Sequence, residues 1–81
     1  MSVNELGPAS KALLERINIS FGYVEFGTLV SWARVKTGLG HGSNWWYRRL
    51  VALAFEGHID AKVYRTGDKI AILFKKKEAE G

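Results

Sequence analysis

The sequence predicts an α+β domain of three helices and a small antiparallel β-sheet, in the order helix, short strand, helix, helix, strand, strand. Three observations predict it. Apolar residues recur at helical spacing in three separate segments, the period changes from 3.6 to 2 just after Gly57, and the last two β-rich runs flank a turn containing Gly67 and Asp68. With 81 residues, 47% of them hydrophobic, the chain can close one small core. It has no cysteine, so packing or association with a second copy must carry the stability that disulfides supply elsewhere.

Residues 1–7 contain nothing that forces a docked element and are expected to form a flexible N-terminus, ahead of one domain spanning residues 8–75. Pro8 opens the first helix, because its fixed φ and missing N–H suit the first helical position. Ala9, Leu13 and Ile17, with Ala12 or Leu14 beside them, form its apolar stripe, while Lys11 and Glu15 lie on the exposed side. The helix should end near Ile17 or Asn18. Tyr23 to Phe26 then alternates as a short edge strand does. Thr28 is the expected N-cap of the second helix, in which Leu29 and Ala33 face the core and small Ala33 permits close approach of another helix. Thr37-Gly38 ends that helix, and Gly38 to Gly42 forms a flexible turn.

The third helix is read over residues 43–57, with Ser43 as N-cap and Gly57 as the residue with positive φ after the helix end. Trp46, Leu50 and Leu53 fall on one stripe with Ala54 at its edge; Asn44, Trp45, Arg48 and Ala52 fall opposite. Trp46 is therefore core. Trp45 has three open roles: a wedge against sugar–phosphate, a contact with a dimer mate, or a cover for the Gly-rich turn. Tyr47 borders the core. Phe55 lies roughly opposite the core stripe and, with Val51 and Leu73, points to a dimer surface. In the hairpin of residues 59–75, Ile59, Ala61 and Val63 alternate with Asp60, Lys62 and Tyr64. The second strand is apolar on both faces, one expected against the helices and the other under the N-terminal strand or a second subunit. Residues 76–81 read as a charged tail.

Charge is segregated along the chain. Residues 1–33 carry a net −1, whereas residues 34–77 carry ten cations against three carboxylates. That distribution suits a polyanionic partner. No apolar run approaches the roughly 20 residues that span a bilayer, and the N-terminus lacks the regions of a signal peptide, so a soluble, cytoplasmic protein is expected. The run Gly38 to Gly42 lacks the spacing of a phosphate-cradling loop. His41 and His58 are the only histidines, which argues against a metal site, and no nucleophile, base and orienting group share a pattern. The expectation is therefore a non-enzymatic protein with no cofactor, no metal and no small-molecule substrate.

The element order, together with Leu50-x-x-Leu53-x-x-x-Gly57-x-Ile59, resembles the winged helix-turn-helix family, especially compact bacterial, archaeal and viral transcription regulators. In that family a similar L-x-x-L-x-x-x-G-x-[IV] pattern closes the recognition helix and starts the wing. The resemblance covers about residues 8–75. The chain departs from it in a longer, Gly-rich turn between the helices and in His58, where such regulators often have Leu. The resemblance implies that the N-terminal half of helix 43–57 enters a major groove, with the hairpin tip on the backbone or in the adjacent minor groove. Residue chemistry points the same way. Arg48 and Arg49 can bond guanine or phosphate bidentately, Asn44 can pair with adenine, and Ser43 can bond phosphate. Arg65, Thr66 and Lys69 suit phosphate at the wing tip, with Lys62 behind them, and Trp45 and Tyr47 complete the candidate surface. The expected activity is sequence-specific binding of double-stranded DNA by a dimeric, nucleoid-associated transcription regulator. The alternatives are a winged helix used as a protein-interaction module and a non-specific, chromatin-like DNA binder.

Overall fold

A computed structural model describes residues 7–77 of the chain. Its elements are α1 (Pro8–Asn18), β1 (Val24–Glu25), α2 (Phe26–Thr37), α3 (Ser43–Phe55), β2 (Ile59–Thr66) and β3 (Lys69–Lys76). The three helices and one antiparallel sheet, in strand order β1-β3-β2, form the winged-helix layout expected from the sequence. The flexible N-terminus and the charged tail fall almost wholly on residues 1–6 and 78–81, outside the described residues. Lys76, assigned to the tail, is the last residue of β3.

Helical phase built the core as the spacing predicts. Leu13, Ile17, Leu29, Ala33, Trp46, Leu50 and Leu53 are all buried, and Val24, Ile59 and Phe74 bring the sheet onto them. Pro8 is the first helical residue of α1, where the missing N–H costs nothing. The end of α3 is closed by two bonds, Gly57 N–H to the Ala54 carbonyl at 3.1 Å and His58 N–H to the Leu53 carbonyl at 3.0 Å. Gly57, at φ 83°, supplies the left-handed residue that this closure needs. The chain then turns directly into β2.

Three local expectations are corrected. The second helix starts at Phe26, not after Thr28, and its N-cap is Glu25 with no side-chain cap bond. Tertiary packing overrides the capping preference of Thr28: as a first-turn helical residue, Phe26 sets its ring edge-on to Tyr47 at 5.9 Å and against Phe74 at 6.5 Å. The N-cap of α3 is Gly42, with Ser43 already helical. Finally, β1 does not cover a face of β3. It pairs along its edge, Val24 opposite Phe74 and Glu25 opposite Leu73, and so widens the sheet instead of adding a layer.

Candidate nucleic-acid interface

The turn that leads into α3 is pinned. Trp46 Nε1–H donates to the His41 carbonyl at 3.1 Å, and Arg34 donates to the same oxygen from Nε at 3.2 Å and Nη2 at 3.0 Å. A buried indole and a helix α2 guanidinium thus hold one peptide of a segment that its glycines alone would leave loose. The next carbonyl, of Gly42, accepts from the N–H groups of Trp45 and Trp46, which makes Gly42 the N-cap, one residue before the expected Ser43. On the α2 side, Thr37 Oγ1–H donates to the Ala33 carbonyl at 2.7 Å while accepting from Leu39 N–H, and Gly38 takes φ 74°.

Trp45 is part of this fixture. His41 stacks on its ring at 3.9 Å with 20° between the planes, the Arg49 guanidinium carbon lies 4.7 Å from the ring centroid, and Trp46 meets it edge-on at 5.0 Å. Its ring covers the Gly-rich turn. Arg49 is drawn to that side of the helix. Arg48 lies about 100° away around the axis, exposed beside Asn44 and Ser43, and forms no ion pair among the described residues. The two arginines therefore do not act as one fork. Tyr47 leans toward the sheet through its edge contact with Phe26, and a shallow depression of about 290 Å³ separates it from Ser43, Asn44 and Ile72.

The wing cations divide between two faces. Residues directly opposite in an antiparallel pair share a face, so Ile59, Ala61, Val63 and Arg65 lie on the helix side with Phe74, Ile72 and Ile70. Asp60, Lys62, Tyr64 and Thr66 lie on the outer face with Lys75, Leu73, Ala71 and Lys69. Arg65 Nε–H donates to the Gly67 carbonyl at 3.2 Å, which holds its guanidinium at the hairpin tip. Lys62 instead sits over the Tyr23 ring at 5.7 Å, with Lys75 over the same ring at 5.2 Å. Of the ten candidate residues, Ser43, Asn44, Tyr47 and Arg48 come together on α3, and Arg65, Thr66 and Lys69 gather at the tip. Trp45 and Arg49 belong to the turn, and Lys62 faces away.

Leu73 is likewise on the outer face, separated from the Val51 and Phe55 surface with which it was grouped. The residues that join Val51 and Phe55 are Tyr47, Val63 and Ile72, around a groove of about 390 Å³ between α3 and the hairpin. Sequence reasoning missed Arg34 and His41 as builders of the α3 entrance. The signal for Arg34 lay in its position on the last turn of α2, but its acceptor is seven residues away and no periodicity marks it.

Among the described residues, no group of three or more His, Cys, Asp or Glu side chains could hold a metal ion, and no helix is long and apolar enough to cross a membrane. No protein-family model, curated protein or solved structure matches the chain.

Proposed function

We propose that this chain is a sequence-specific, double-stranded DNA-binding transcription regulator that acts without catalysis in the nucleoid-containing cytoplasm. The observation that carries the reading is the exposed stripe Ser43, Asn44 and Arg48 on the first turns of α3, held at a fixed angle by the three donors on the His41 carbonyl. An amide and an exposed guanidinium one helical turn apart match the edges of adenine and guanine in a major groove. A helix N-terminus beside them favours phosphate. Arg65 and Lys69 at the hairpin tip supply charge where the backbone would pass, and phosphate contacts give affinity while Asn44 and Arg48 give sequence preference.

Selection of bound duplexes from a random DNA pool tests this directly. Enrichment of one short motif supports the reading. Salt-dependent binding of every duplex with equal affinity would make the chain a non-specific binder, and no duplex binding at low salt would remove DNA altogether. A protein-interaction module is the second reading, favoured by one observation: the exposed apolar surface of Val51, Phe55, Val63 and Ile70.

A further inference from the structure

That apolar surface lies against a sheet edge that is free among the described residues. β2 is an outer strand, and its register with β3 runs from Ile59–Lys76 to Thr66–Lys69 without a bulge. In a two-residue hairpin the closing pair exchanges both backbone hydrogen bonds, so every second residue counted back from Thr66 bonds to β3. Ile59, Ala61, Val63 and Arg65 therefore turn their N–H and C=O groups outward. On the helix side of this edge Phe55 is 91% exposed, Val63 67% and Val51 45%. A contiguous apolar patch beside an unpaired edge marks an interaction surface.

The charge pattern of β2 says what pairs with it. An antiparallel strand paired with its own copy about a two-fold axis keeps its faces, so each register is centred on one residue. Centring on Lys62 sets two lysines directly opposite, which is repulsive. Centring on Val63 places Lys62 opposite Tyr64 and Ala61 opposite Arg65, with no charge satisfied. Centring on Ala61 places Asp60 opposite Lys62 twice and Ile59 opposite Val63 twice, with the small alanine on the axis. The strand is complementary to itself in this register.

We propose that two copies of the chain associate through β2, centred on Ala61, to make one six-stranded sheet. About six backbone hydrogen bonds form across the new pairing. Val63 of each copy comes beside Ile59 of the other, at the foot of α3 where Phe55 stands, and loses its exposure to water. The present contact of Asp60 with Lys77, at 3.9 Å and largely exposed, is too weak to compete. The first turns of α3 lie at the far end of that helix and stay outside the interface. The inference does not depend on DNA binding.

Sedimentation equilibrium of the full chain, from low micromolar to near-millimolar concentration, tests it. A reversible monomer–dimer equilibrium is expected, and in the same range the Ala61 and Val63 amides should become more protected from hydrogen exchange. Asp60→Lys alone and Lys62→Asp alone each place like charges opposite one another and should weaken association about tenfold or more, about 1.4 kcal/mol per tenfold. The double swap should restore it. Phe55→Ser should also weaken it, and thermal unfolding at the lowest concentration checks that these exposed substitutions leave the fold intact. A monomer at every concentration overturns the proposal. So does a dimer indifferent to the single charge reversals, or one that the double swap fails to recover.

Discussion

Arg48 and Arg49 are neighbours in sequence, yet the helix carries them to different surroundings, and replacing each by alanine separates a proposed reading side chain from a packing one. Arg48 is exposed on the Asn44 stripe, whereas the Arg49 guanidinium is 4.7 Å from the Trp45 ring centroid. A bidentate arginine–guanine contact discriminates by about 1–3 kcal/mol. Arg48→Ala should therefore lower affinity for the preferred duplex about 5- to 150-fold and flatten the preference at one base pair. For Arg49→Ala the loss is of a cation–π contact at a surface site, about 0.5–1 kcal/mol of folding stability, with base preference retained. Fluorescence anisotropy against the selected duplex and its single-position variants reads both effects, and urea denaturation supplies the stability term. If Arg49→Ala flattens the preference and Arg48→Ala does not, the helix meets DNA on its other side and the reasoning fails. Equal losses for Arg48→Ala on every duplex would make Arg48 a phosphate contact and leave the base reading without its main residue.

Three further outcomes are expected. Leu53→Ala, at a fully buried position of α3, should cost about 2–5 kcal/mol in urea denaturation; a loss below about 1 would contradict the core assignment. Gly57→Ala meets no atom within 4 Å but must adopt φ 83°, so its cost is that of the backbone alone, about 1–2 kcal/mol. A neutral result there would mean that α3 ends in another way once the glycine is gone. Lys69→Ala should weaken binding to all duplexes alike and make the slope of log K against log salt shallower by about 1, and an unchanged slope would take the wing tip off the DNA.

The inward faces of all three helices were legible in the sequence because periodicity is a local signal that survives tertiary packing. Gly38, Gly57 and the Gly67-Asp68 turn were legible for a related reason, since each marks a chain reversal that few other residues can make. Boundaries set at a distance were not. Thr28 satisfies the local rule for a cap, but the packing of Phe26 between Tyr47 and Phe74 starts α2 three residues earlier. Ser43 satisfies it too, and loses the role because Arg34 and Trp46 fix the peptide of His41. In the hairpin, alternation identified the two faces but not how far the helices cover them. Eight residues of β2 extend about 27 Å, and only Ile59 of that strand is buried, so Val63 and Ile70 leave the core while keeping a core pattern. The same signal that made them read as interior makes them an exposed surface.

That surplus of apolar residues bears on how the proposed activities divide along α3. Asn44 and Arg48 occupy the first two turns, Val51 and Phe55 the last two, on one continuous exposed side. Phosphate oxygens offer nothing to Val51 or Phe55, so DNA fits only the first half of the helix. Two reading side chains per copy contact too few base pairs to single out a site among many competing ones. In the proposed dimer, a second copy held through the other half of the helix and β2 would supply the missing contacts while leaving Ser43, Asn44 and Arg48 outside the interface. That dimer would also relate the two proposed reading stripes by a two-fold axis, which would make the bound sequence an inverted repeat. On this reading the apolar half of α3 and the polar half are parts of one requirement, since specificity needs the dimer and the dimer needs the surface that DNA cannot use.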